Sequence, residues 1–369
     1  MNTLEAYRAL CTCIGKIATG PEYSKDLSFD EAYTAMRYIL EGKVDPVQSG
    51  VFLIALRMKR ETDAENAGVL RAIMEMTQTT TAAVDEVVDV ADPYDGFARC
   101  LPVSPFLPAV LAACGVPAVS HGAETVAPKK GVTHCKVLRA AGLNVDLDIE
   151  QAAARVSNSE IGWAYVDQKT FCPALHQLRE LRALIVKRPV LSTVENLTGP
   201  IRGREHTHLI TGHVHRAYPP IYARLARRAG FASAGLVRGV EGGVLPSLRQ
   251  AAKLYHYHDN SELELTEINP ADLGIERSIR ALPIPENLAV AAVENEIKAT
   301  IDADALASAA AALGLEALDG APGAARDSLV YGGAIVLTHL HRFDSMRQAA
   351  ETIRQALDRG AVRRHFLSQ

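Results

Sequence analysis

The stretch Pro93–Gly131, PYDGFARCLPVSPFLPAVLAACGVPAVSHGAETVAPKKG, sets the architecture of the larger part of the chain. It follows Val87-Val88-Asp89-Val90-Ala91, an apolar and β-branched run that reads as a buried strand. Asp92-Pro93-Tyr94-Asp95-Gly96 is rich in the residues that reverse a chain. Phe106 to Ala113 reads as a helix closed by Gly115, and Val116 to Val119 leads into His121-Gly122 as a second strand. Strand, turn, helix and strand make one βαβ unit. Ligands of such sheets sit at the carboxyl ends of the strands, so Asp92–Gly96 and Ser120–Lys130 are expected to border one cleft.

The chain outside this unit supports a large core. It has 369 residues, 48% of them hydrophobic, and a net charge of −4. That size predicts two domains, and that charge gives no global bias toward nucleic acid or an anionic membrane. Met1 to Ala18 carries Glu5, Arg8 and Lys16 among its apolar residues, unlike a secretory leader. Apolar runs stay well short of the roughly 20 residues of a membrane span. The six cysteines show no Cys-x-x-Cys spacing and read as reduced thiols, mostly core filler, in a cytoplasmic protein.

Toward the N-terminus the period changes. Residues 4–18, Glu31–Leu40, Pro46–Met58 and Asp63–Glu75 read as short amphipathic helices that pack on each other, with Asp30 and Asp63 as expected N-caps. Residues 77–86 (TQTTTAAVDE) read as a polar bridge between domains. Beyond Glu86, strands and helices alternate: helices at 134–143, 148–157, 173–185 and 219–229, and strands at 161–166, 209–214 and 233–237. Helices at 302–313, 328–340 and 344–359 complete the reading.

Charge is uneven. Residues 151–260 hold 15 Lys and Arg against 7 Asp and Glu, and seven of the twelve histidines. Arg202, Arg204, Arg224, Arg227 and Arg228 are candidates for a phosphate-receiving face, against a solvated helix face as the plain alternative. Three His-x-His pairs occur, His206/His208, His213/His215 and His256/His258; on a strand, residues two apart point to the same side, so each pair could chelate zinc. With no carboxylate or cysteine at matching spacing, they read as polar residues at a sheet edge.

One group of motifs resembles a known family. Leu27-Ser28-Phe29-Asp30-Glu31-Ala32, Ile39-Leu40-Glu41-Gly42 and Pro46 to Lys59 (PVQSGVFLIALRMK) resemble the helical domain of the anthranilate phosphoribosyltransferase family, glycosyltransferase family 3. The resemblance continues through His121-Gly122, Leu138 to Leu143, Arg188, Asn196 to Pro200, Arg326-Asp327-Ser328 and Ala356 to Gly360. It implies a nucleoside phosphorylase/phosphoribosyltransferase fold of class α/β. A small N-terminal helical bundle (1–80, with helix 173–185 packed on it) would join a large α/β domain (86–369) with a mixed, mostly parallel sheet. It also implies a homodimer through the N-terminal helices, with Leu53 and Met58 as residues that could face the partner.

The ligand motifs depart from the family pattern. The family wraps the diphosphate of its donor in a Gly-Thr-Gly-Gly-Asp turn, because bare backbone N–H groups must reach the phosphates. Here that turn is Asp92-Pro93-Tyr94-Asp95-Gly96, in which Pro93 has no N–H. Ser104 matches the family serine. The family Asp-Glu pair that holds magnesium aligns with Val244-Leu245, leaving Glu241 as the one carboxylate of Glu241-Gly242-Gly243-Val244-Leu245. His-Gly-Asn-Arg-Ser becomes His121-Gly122-Ala123-Glu124-Thr125. Tyr94 to Arg99, His121-Gly122 and Arg238-Gly239-Val240-Glu241-Gly242 are similar to a divergent second branch, which has been associated with nucleic-acid binding.

The resemblance therefore implies a phosphorylated small-molecule ligand and transfer of a phosphoribosyl-type group to a nitrogen acceptor other than, or including, anthranilate. The alternative is a non-catalytic paralogue that binds nucleic acid or a nucleotide through the basic face. Expected ligand contacts are Asp92, Tyr94, Asp95, Gly96, Arg99, Ser104, His121, Gly122, Lys129, Lys130 and Arg188. Arg99 and Ser104 would serve phosphate, His121 and Arg188 the acceptor, and Asp95 or Glu241 a magnesium ion.

Overall fold

Four helices open the chain in the computed structural model, which describes residues 3–20, 22–288 and 302–367. They are α1 (Thr3–Ile17), α2 (Phe29–Leu40), α3 (Pro46–Lys59) and α4 (Asp63–Glu75). The N-caps of α2 and α4 are Ser28 and Thr62, not the expected Asp30 and Asp63. Each hydroxyl accepts the N–H three residues on, and Glu31 or Glu65 reaches back to the cap N–H. Such reciprocal boxes satisfy two orphan donors at once. Asp30 and Asp63 instead fall in the first turn, where a negative charge suits the helix dipole. Helices α2 and α4 cross at Gly68, where an added Cβ would stand 2.5 Å from the Phe29 carbonyl oxygen.

The sheet has seven strands: β1 (Glu86–Ala91), β2 (Ala118–Gly122), β3 (Trp163–Asp167), β4 (His206–Gly212), β5 (Ser233–Val237), β6 (Ala252–His258) and β7 (Glu264–Ile268). Their order is β3-β2-β1-β4-β5-β6-β7. The first five run parallel, and β6 and β7 add antiparallel at one edge. The expected βαβ unit is present, with Asp89 opposite Val119 and the helix Leu107–Ala113 between the strands. The fold is thus α/β with a mixed, mostly parallel sheet beside an N-terminal helical bundle.

Alternation along β1 divides the core. Val88 and Val90 face a cluster built with the helices Ala303–Leu318, Ala324–His339 and Met346–Asp358. Val87 and Ala91 face the other cluster, which includes Phe52, Leu53 and Leu56 of α3 and Leu70 and Ile73 of α4. The bundle therefore shares one apolar layer with the sheet. Leu181 and Ile185 lie against Gly50 of α3.

Several elements differ from the sequence reading. The expected helix 173–185 breaks at Leu178 into Pro173–Gln177 and Arg179–Ile185. Strands β6 and β7 were not expected, because β7 is mostly exposed and β6 mixes His, Tyr and Lys. A further helix, Ala361–Leu367, follows Gly360. All six cysteines are free, four of them buried. Residues 80–81 of the polar bridge pair in parallel with Ile201-Arg202.

Candidate functional site

At the carboxyl ends of β1, β4 and β5 the chain leaves the sheet in three loops. They meet α3 and the segment 188–196 around a cleft of about 740 Å³, counting its open mouth. Pro93, Tyr94 and Asp95 come from the first loop, Gly212 to His215 from the second, and Glu241-Gly242 from the third. Arg57 of α3, Arg188, Ser192, Thr193, Glu195, Asn196, Tyr218 and Tyr222 complete the lining. The cleft lies where parallel strands of this kind present ligands.

Glycines let these loops interlock. Gly96 has φ +73°, and a Cβ there would meet the backbone of Gly131 and Val132. Gly243 packs its α-carbon against the Phe97 ring, and a Cβ there would sit 2.5 Å from Phe97 Cζ. Asp92 ties the first and third loops together. Its buried carboxylate accepts from the Ser104 hydroxyl, from His134 Nε2 at 2.8 Å and from the Val244 N–H at 2.7 Å. Burial alone would raise the Asp92 carboxyl; the bonds from His134, Ser104 and Val244 outweigh it and hold it below its ordinary value.

Behind the cleft wall lies a buried polar chain. His121 Nε2 donates to the Asp89 carboxylate at 3.1 Å, which leaves Nδ1 to accept the Tyr94 hydroxyl. The Phe171 ring stands edge-on to His121 at 5.7 Å. Burial, and then the Glu195 and Asp89 charges, push the Tyr94 phenol well above its usual value. Tyr94 stays protonated and donates. It lines the cleft, while His121 is sealed behind it with both nitrogens engaged.

The third loop delivers a carboxylate onto backbone donors. Glu241, at φ 52°, accepts from the Ala98 N–H at 3.1 Å and the Arg99 N–H at 2.7 Å. Lys129 Nζ lies 3.4 Å from the same carboxylate, 3.6 Å from Asp95, and donates to the Gly96 carbonyl at 2.5 Å. Two adjacent amides and an ammonium form an anion cradle, and its occupant is the protein's own side chain.

These contacts sort the residues expected from sequence. Tyr94, Asp95, Arg188 and Glu241 line the cleft. Asp92 and Ser104 are buried and bonded to each other. Against expectation, His121 and Gly122 do not reach the cleft: Tyr94 and Phe171 stand against the His121 ring, and Tyr94 and Tyr165 lie beside Gly122. Arg188 Nε and Nη2 donate to Asp95 at 2.8 and 2.7 Å, so these two residues pair with each other. Gly96 serves the turn, the Arg99 side chain is exposed, and Lys130 is exposed at φ 49°.

The five arginines expected on a basic face are mostly committed elsewhere. Arg202 donates to two carbonyls and lies over Phe231, Arg224 pairs with Asp63 at 2.8 Å, and Arg227 lies 3.8 Å over the Tyr257 ring. Arg204 lies 3.7 Å from Asp85, and Arg228 is exposed.

Sequence reasoning missed the cleft floor. His213 is buried with neither ring nitrogen hydrogen-bonded, and the buried Asn196 has a free Oδ1 while its amide donates to Thr211 at 2.9 Å. Burial, opposed in part by the His215 backbone and joined by the smaller effect of the Arg238 charge, takes His213 from its ordinary 6.5 to about 4. It is therefore a neutral imidazole at neutral pH. Glu195 is held by a buried two-point pair with Arg182, 2.9 Å at Nη2. The weak signal for these residues was the Asn196 to Pro200 motif and the His213/His215 pair; nothing local marks them as converging on one cavity.

Comparison with known proteins agrees with this architecture. Residues 12–77 match the helical bundle domain, and residues 95–363 the a/b domain, of the glycosyl transferase family. The chain belongs to that family. It is 28% identical over 351 residues to the anthranilate phosphoribosyltransferase of Nitrobacter hamburgensis, covering 95% of this chain and 94% of that protein. An uncharacterized Aquifex aeolicus protein is 30% identical over 252 residues, 68% of this chain and 74% of that one. Among solved structures, Saccharomyces cerevisiae anthranilate phosphoribosyltransferase in complex with PRPP and Mg shares the fold at TM-score 0.75 and 15% identity, covering 97% of this chain and 96% of that one. The Thermus thermophilus enzyme does so at TM-score 0.71 and 20% identity, covering 97% of each chain. The protein is thus anthranilate phosphoribosyltransferase-like in sequence and in fold.

Proposed function

We propose that the cleft transfers a phosphoribosyl-type group from a phosphorylated sugar donor to a nitrogen acceptor. The observation that carries this reading is the pair of orphaned polar groups on the cleft floor, His213 and Asn196 Oδ1. Buried polar atoms in native proteins almost always have partners, so two such groups facing a cleft are open to a ligand or to ordered water. Kinship to anthranilate phosphoribosyltransferases supports the donor class.

In such a transfer the bond from the anomeric carbon to the diphosphate oxygen breaks and a bond to the acceptor nitrogen forms. Diphosphate leaves with the bonding electrons, and the acceptor gives up a proton. Catalysis is chiefly positioning and stabilisation of charge. The cradle of Ala98 N–H, Arg99 N–H and Lys129 would take a phosphate once Glu241 moves aside. Neutral His213 can accept the acceptor's proton, and Asn196 Oδ1 can accept a hydrogen bond from its N–H. Tyr218 and Tyr222 offer flat walls suited to an aromatic acceptor.

Magnesium fits this donor set poorly. Asp92 is bonded to three donors, Asp95 to Arg188, and Glu241 to two amides and Lys129. Val244 and Leu245 offer no oxygen ligand, and no step above runs through the ion.

The test is calorimetry with phosphoribosyl diphosphate, followed by a diphosphate-release assay across aromatic amines, aromatic acids and bases. Binding with release for at least one acceptor is expected. Neither binding nor release, for the protein or for Glu241→Ala, would overturn the reading. Among the described residues no helix is long and apolar enough to cross a membrane. The exposed Leu4, Tyr7, Val47, Val51 and Met58 support a homodimer through α1 and α3, while Leu53 belongs to the core. Sedimentation of wild type against Met58→Glu tests that interface, and an unshifted monomer–dimer balance would remove Met58 from it.

A further inference from the structure

The His256/His258 pair, taken from sequence as edge polarity, meets a third imidazole that the sequence did not connect to it. In the alternating pattern of β6, His256 and His258 project to one side of the sheet. His339, in the last turn of the helix Ala324–His339, packs against that side. One ring nitrogen from each of the three lies within 4.8 Å of the others. The His258 and His339 rings are 4.4 Å apart, and His341 lies 4.6 Å from His258.

We propose that His256, His258 and His339 bind a divalent first-row transition ion, zinc foremost. Three neutral imidazoles at such separations form a set that zinc accepts, with solvent in the fourth position. Metal-bound histidines characteristically have their other ring nitrogen held by a hydrogen bond. Here His339 Nε2 is bonded to Ser233 Oγ at 2.9 Å and His256 Nε2 to Thr266 Oγ1 at 2.9 Å. His339 Nδ1 is left buried without a partner. A buried nitrogen lone pair with no donor to accept from is costly unless something electropositive reaches it.

The site is separate from the cleft. His258 pairs with Ser233, the first residue of β5, whereas the cleft lies beyond the last residue of that strand, Val237. An ion here would join the antiparallel strand β6 to the helix Ala324–His339. Its role is that of a staple, without a part in group transfer.

The test uses the full chain, stripped with a chelator and titrated with zinc alone, with metal content measured after dialysis and thermal unfolding followed with and without the ion. Expected are one ion per chain and a raised melting temperature. Both are lost in His256→Ala/His258→Ala, whose side chains are only half-buried. Ser233→Ala is expected to weaken affinity by about ten- to a hundredfold by freeing the His339 ring. Cobalt in place of zinc should give the visible d–d bands of a four-coordinate ion. No retained ion in the wild type would overturn the proposal. So would equal stoichiometry in the double variant, or a loss in His206→Ala as large as in the double variant, which would mark adventitious surface chelation.

Discussion

Glu241 sits in the left-handed region with its carboxylate on two backbone amides and beside Lys129. An anion that a ligand would supply is already covalently present, so a phosphate must displace it. Glu241→Ala should therefore tighten inorganic diphosphate or phosphoribosyl diphosphate by about tenfold, roughly 1.4 kcal/mol, as read by calorimetry. Unchanged affinity would separate this cradle from the donor site. His213 makes a pH prediction with a definite sign. In the unfolded chain it takes up a proton below its ordinary 6.5, but in the fold it does so only near 4. Its contribution to stability is therefore whole above about pH 6.5 and declines as pH falls toward 4. Comparing melting temperatures across that window, His213→Asn should fall less steeply than wild type. Parallel curves would assign the pH dependence to other histidines. Neither residue's part was legible from sequence alone, because each depends on loops more than a hundred positions apart meeting at one point.

At the scale of elements, α2 and α4 are fixed by where their backbones touch. Gly68 leaves space for the Phe29 carbonyl and the Tyr33 amide, and a methyl group there would stand 2.5 and 2.9 Å from them. Gly68→Ala normally favours a helix, yet here it should destabilise the protein by about 1–3 kcal/mol in chemical denaturation. A stabilised variant would show that the two helices can part at little cost. The helices themselves were legible: their apolar period and the turn residues between them are local signals, and Pro46–Lys59 and Asp63–Glu75 lie within a residue of the expected spans. The caps were misread because Asp and Ser or Thr compete for the same position; the reciprocal glutamate three residues on decides between them. The mostly exposed β7 and the polar β6 gave no signal of burial, so the antiparallel edge went unseen and the histidine cluster with it.

For the molecule as a whole, the α/β architecture followed from one βαβ unit and a change of period near residue 80, and family kinship carried the rest. The cleft's location was readable from strand polarity. Its contents were not, since a residue's motif position says which loop it is on and leaves open whether it faces ligand or core. His121 matches a motif and is walled off; Arg188 and Asp95 match and neutralise each other. The same point governs Val244 and Leu245. Val244 is 1% exposed within the apolar layer under the C-terminal helices, and Leu245 leans on Gly332. Converting them to Asp and Glu would drive one charge into hydrocarbon and set a second at its half-buried edge instead of rebuilding a magnesium seat. The double substitution should lower the melting temperature and leave magnesium titration silent, while a stable, magnesium-binding variant would contradict it. The road back to an ordinary donor site thus passes through wholesale repacking beneath the loop, and an ancestor reconstructed two letters at a time would stall on the first.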